Sequence, residues 1–76
     1  MNRKAPKNKA AEIILGFLMD TGVSQRELAG ELGLPNGSFG DYMRSRTIPP
    51  LAVAVKIEDY FDGMVLPRHW LEDCRY

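Results

Sequence analysis

Residues Ser24 to Arg46 read SQRELAGELGLPNGSFGDYMRSR, and the parsing of this run decides the fold. Ser24 is a helix N-cap type, and Glu27 three residues later completes the capping-box pattern. Val23 stands where a hydrophobic staple would pack on Leu28. Leu28, Ala29 and Leu32 share one face at helical spacing, with Arg26, Glu27, Gly30 and Glu31 off it. Gly33 follows the last apolar position, where a left-handed residue ends a helix. Leu34 plugs the turn, and Asn36 is expected to cap a second helix. On that helix Phe39, Tyr42 and Met43 form an inward stripe, and Gly37, Gly40, Asp41 and Arg44 an outward one. The run therefore predicts two short helices joined by a tight turn.

The flanking sequence predicts three more helical segments and no strand. A first helix over about Lys9 to Asp20 has a narrow polar stripe, Glu12, Gly16 and Asp20. Ile13, Ile14, Leu15, Phe17, Leu18 and Met19 are apolar, more than one face of a small bundle needs. This helix is expected to be deeply buried or to pack on a second subunit. Thr21-Gly22 ends it. Pro50 suits the first turn of a fourth helix, running to about Phe61, with Leu51, Ala54, Val55, Ile57 or Glu58, and Phe61 on its face. Asp62-Gly63 ends that helix, and Pro67 opens a last short one holding Trp70 and Leu71. Trp70, with Phe61, Val65 and Leu66, is expected in the core or at a dimer contact, and His69 on the surface.

Length and composition bound the rest. At 76 residues, 45% hydrophobic, the chain reads as one globular domain whose core is marginal enough for dimerisation to help. The expected organisation is a flexible basic arm over residues 1–8, then one domain over residues 9–76. No apolar run is long enough to span a bilayer, and Glu12 and Asp20 interrupt the stretch that would make a signal peptide. A cytoplasmic protein with no membrane partner is expected. The single Cys74 excludes an internal disulfide, and one Cys with one His does not make a zinc site. No phosphate-binding glycine loop, nucleophile elbow or metal spacing is present, so neither an enzyme, a cofactor nor a small-molecule ligand is expected. Net charge is zero but unevenly spread. Residues 1–9 carry Arg3, Lys4, Lys7 and Lys9 and no acid, which leaves six basic against ten acidic side chains, a net of −4, in the remainder. A nucleic-acid binder of this kind must cluster its positive charge, here on the arm with Arg26, Arg44 and Arg46.

The run resembles the helix-turn-helix of the phage Cro and CI repressor superfamily. Gln25 opens its first helix, Ala29 stands at the close crossing, Gly33 in the turn, and Leu34, Phe39 and Tyr42 at the apolar core positions. Downstream, Ile48-Pro49-Pro50, Ile57-Glu58 and Leu66-Pro67-Arg68-His69-Trp70-Leu71 are similar to small Cro-type and prophage YdaS-type regulators. The likeness spans about Gly22 to Asp73. The family usually has Ser or Thr entering the recognition helix, where this chain has Pro35-Asn36-Gly37. The resemblance implies an all-α, lambda repressor-like bundle of about five short helices, with the helix-turn-helix over residues 24–46. It implies a transcriptional regulator, bacterial and possibly phage-encoded, that places the third helix in the major groove of a double-stranded operator. A homodimer, through the first helix or the Trp70 region, would read two half-sites about 34 Å apart.

Within that reading each candidate residue has a role and an alternative. Gln25 would donate to a phosphate, as its family counterpart does, or be a solvated helix-start residue. Asn36, Gly37 and Ser38 would enter the groove first, Asn36 pairing with an adenine edge or only capping the helix. Gly37 and Gly40 let the backbone approach DNA closely or simply weaken the helix. Asp41 would accept from a cytosine amino group or pair with Arg44. Arg44 suits guanine, and Arg46 and Arg26 suit phosphate. Arg3, Lys4, Lys7 and Lys9 would track phosphates or enter the minor groove, or form a solubilising disordered tail. The alternative function is a protein-interaction module on the same fold with little DNA affinity, an antirepressor, an antitoxin or an inhibitor of a host protein, to which the acidic body, Asp41 and the glycine-rich third helix point.

Overall fold

The computed structural model describes residues 7–73. It has four α-helices in chain order: α1 (Lys9–Thr21), α2 (Gln25–Leu32), α3 (Asn36–Met43) and α4 (Leu51–Tyr60). A single 3-10 helix, Pro67–Leu71, follows where a fifth short helix was expected. There is no strand among the described residues beyond an isolated antiparallel bridge between Asn8 and Asp73. The radius of gyration, 11.3 Å, is that of one packed body of this length.

Local chemistry sets most helix ends. The Ser24 hydroxyl accepts from the Glu27 N–H at 3.0 Å, and Glu27 Oε1 accepts from the Ser24 N–H at 2.9 Å, so the capping box is complete. Val23 packs against the core beside it. Gly22 and Gly33 end α1 and α2 at φ 76° and 70°, a left-handed geometry that glycine adopts without a Cβ clash. Where α3 ends, Arg46 N–H donates to Asp41 C=O (2.9 Å) and Ser45 N–H to Tyr42 C=O (3.1 Å), a Schellman closure. Its left-handed residue is Ser45, at φ 60°, which costs roughly 1 kcal/mol relative to glycine. The 3-10 helix is closed by His69, whose Nδ1 accepts from the Leu66 N–H at 2.9 Å. His69 is thus a half-buried structural residue rather than a surface one.

One core joins all five elements. Phe39, Ile14, Leu28, Leu32, Ile57 and Val65 are its largest fully buried side chains, with Trp70 and Phe61 at its edges. α1 packs on the 3-10 helix and on α3, α2 on α3 and α4, and α4 on the 3-10 helix. The Phe17 and Phe61 rings meet edge-on at 5.0 Å, and Tyr60 meets both edge-on as well, tying α1 to the end of α4. Trp70 meets Tyr42 edge-on at 6.2 Å, within the single chain. Its indole N–H has no acceptor among the described residues, a cost of about 1–3 kcal/mol.

The burial pattern corrects the expected inward face of α4 and agrees with the first of the two alternatives for α1, deep burial. α4 turns Ala54 and Ile57 inward, with Phe61 directly after it, while Leu51 (73% exposed) and Val55 lie outside. Both stripes have helical spacing in this apolar-rich sequence, and only the positions of α2 and the 3-10 helix select between them. α1 buries Ala10, Ala11, Ile14 and Leu18 and packs Ile13 and Phe17 on the core, so most of its wide apolar surface is used inside one chain. Met19 alone on α1 is a strongly exposed large apolar residue.

Candidate nucleic-acid interface

The outer surface of α2 and α3 gathers part of the predicted set. Gln25 is the first residue of α2, set by the capping box one residue earlier. Gly40, in the middle of α3, is buried because the Gln25 and Arg44 side chains cover it. A Cβ placed on Gly40 would stand 3.2 Å from Arg44 Nη2 and 3.5 Å from Gln25 Nε2. The expected outward glycine is therefore the floor of a polar cluster. Arg44 also reaches Asp41, Nη2 to Oδ1, at 3.4 Å across one turn. This is the pairing alternative for Asp41. Both side chains are substantially exposed, so the pair contributes a few tenths of a kcal/mol at most.

The entry to α3 differs from expectation. Pro35, not Asn36, takes the N-cap position, and no side chain caps the helix. Pro35 satisfies the local geometry with its fixed φ of −60°, which moves the helix start one residue earlier than a side-chain cap would. Asn36 and Gly37 are exposed, Ser38 is half-buried, and no atom lies within 4 Å of a Cβ placed on Gly37. Without a cap and with two glycines, α3 has little intrinsic helix stability. Phe39, wholly buried, and Met43 hold it to the core instead.

The remaining basic residues divide. Arg26 and Arg46 are exposed on α2 and after α3. Lys7 is exposed and shares a groove with Asn8, Ser45 and Ile48 beside the end of α3. Lys9 lies instead in a groove with Glu12, Glu72 and Asp73. Arg3, Lys4 and Cys74 lie outside the described residues. The expected arm boundary also moves, because Asn8 is 3% exposed and caps α1. An Asn before a helical run is an N-cap signal, but nothing in the sequence pairs it with residues 34 and 37 positions away.

Glu27 is held below its ordinary value, 4.5, by the hydrogen bond from the Ser24 backbone N–H and then by the bond with the Ser24 side chain. Tyr60 on α4 is pushed above 10.0 by its hydrogen bond to Glu31 on α2. No group of His, Cys, Asp and Glu among the described residues is arranged to hold a metal, and no described helix is long and apolar enough to cross a membrane. No family model, curated protein or solved structure matches the chain.

Proposed function

We propose that this chain is a sequence-specific double-stranded DNA-binding regulator, a Cro-like repressor that lays α3 in the major groove of an operator. The observation that carries the reading is the convergence of Gln25 and Arg44 over Gly40, on the outer side of two helices joined by a Gly33-Leu34-Pro35 turn. An amide and a guanidinium there supply a phosphate donor and a guanine-reading fork. Gly37, exposed near the start of α3, keeps a Cβ out of the way of base edges, and Gly40 leaves room for the Gln25 and Arg44 side chains above it. Arg46, Arg26 and Lys7 add phosphate contacts. A homodimer would set two copies of α3 about 34 Å apart, and occupancy of the operator would exclude polymerase.

The alternative, a protein-interaction module, draws on one specific observation. Leu51, Met64, Leu71, Ile48 and Met19 are large exposed apolar residues on a body whose acids outnumber its bases. Fluorescence anisotropy on mixed-sequence duplex DNA across a salt series separates the two. The DNA reading expects affinity that falls steeply with salt and weakens in both Arg44→Ala and Arg46→Ala. No binding at low salt refutes it and favours the protein partner.

A further inference from the structure

We infer that Asn8 is a positioning residue for the Arg44–Arg46 turn, and so for the DNA-contacting surface; the second half of this inference rests on the function proposed above. Asn8 is the buried polar side chain of the described core, and each of its polar atoms has a partner. Oδ1 accepts from the Ala11 N–H at 2.7 Å and starts α1. Nδ2 donates to the Tyr42 carbonyl at 3.2 Å and to Ser45 Oγ at 2.8 Å. The backbone around it is tied as well: Lys9 N–H donates to Glu72 C=O, and Asn8 bridges Asp73. One amide therefore joins the start of α1 to the end of α3.

The contact explains the residue at Ser45. A Schellman closure normally takes glycine at its left-handed position. Glycine would have no side-chain oxygen for Asn8 Nδ2. Serine holds the left-handed φ of 60°, and its Oγ accepts a hydrogen bond from Asn8 at the start of α1. Arg44 and Arg46 flank Ser45 directly, so the same bond limits where both guanidinium groups reach. Lys7, adjacent to Asn8, borders the same groove as Ser45. The chain thus enters the described fold beside the turn that carries the two arginines. Lys7 therefore stands at the α3 end of the surface, not at the opposite side of the bundle.

Asn8→Ser tests this, because serine keeps a cap acceptor and the charge but is too short to reach Tyr42 and Ser45. Amide hydrogen exchange at Ser45 and Arg46 is expected to speed up by about tenfold, as loss of one hydrogen bond implies, with α1 amides unchanged. Duplex-DNA affinity at fixed salt is expected to fall by at least about fivefold. Ser45→Ala, which leaves the cap of α1 untouched, should reproduce both effects and should make Asn8→Ser weaker in the double variant. Unchanged exchange at Ser45 and Arg46 in both single variants overturns the clamp. Faster exchange with unaltered DNA affinity overturns its role at the surface. A wild-type chain that binds no DNA refutes the functional reading instead, and the exchange measurements still decide whether Asn8 holds the turn.

Discussion

Gly40→Ala should stabilise the fold while weakening DNA binding. Gly40 is the fifth of eight residues in α3, an interior helical position with no left-handed φ. Replacing glycine by alanine there gains about 1 kcal/mol from helix propensity. The opposing cost is set by what the new methyl meets. Its neighbours are Arg44 Nη2 at 3.2 Å, Arg44 Nη1 at 3.3 Å and Gln25 Nε2 at 3.5 Å, all tips of flexible side chains. Displacing Arg44 gives up its exposed pair with Asp41, worth about 0.3–0.5 kcal/mol. The net is a gain of roughly 0.5 kcal/mol, or a rise in melting temperature of about 2–4 °C for a domain this small. Gly37→Ala is the comparison, since its Cβ would meet nothing within 4 Å. At the second position of the helix it should gain about 0.5 kcal/mol without moving either side chain. Thermal unfolding by circular dichroism gives the stabilities, and anisotropy gives affinities on the same samples. Gly40→Ala should cost about tenfold in affinity through the displaced Arg44, whose guanidinium contact is worth about 1–3 kcal/mol. A fall in melting temperature for Gly40→Ala would refute the reasoning, because Arg44 and Gln25 would then be fixed packing and not movable cover.

Other consequences follow from the same geometry. Ile57→Ala should lose about 2–5 kcal/mol, while Leu51→Ala should stay within about 0.5 kcal/mol, and urea denaturation of the pair checks which face of α4 is inward. Ser24→Ala should cost about 1 kcal/mol by removing half of the capping box, read as a lower urea midpoint. Glu27 titrates below 4.5 in the folded chain, so its contribution is full above 4.5 and is lost as pH falls through the folded value. Glu27→Gln should therefore flatten the acid side of the stability profile, and an unchanged slope would show that the capping carboxylate carries none of it. Ser45→Gly relieves a strained φ but removes the Asn8 contact, so its melting temperature should move little while exchange at Arg46 speeds up.

What the chain's sequence determined by itself is what neighbours along the chain can settle. Ser24 and Glu27 find each other within one turn, Gly22 and Gly33 sit where the helices must reverse, and Pro67 opens the last segment. Each of these depends on groups within a few residues, so residue type and spacing were enough to read the α2–turn–α3 unit and the all-helical architecture. The tertiary structure decided the rest. α4 has two apolar stripes, and only packing against α2 and the 3-10 helix chose Ala54, Ile57 and Phe61 over Leu51 and Val55. Gly40 looked exposed in a helical projection and became covered because α2 delivers Gln25 from one side and Arg44 folds back from the other. Asn8 read as part of a mobile arm, since its partners Tyr42 and Ser45 are distant in sequence, and hydrogen bonds of that range leave no local periodicity or motif. The polar cluster over Gly40 and the clamp behind it exist only where separate helices meet, which is why neither could be read from spacing alone.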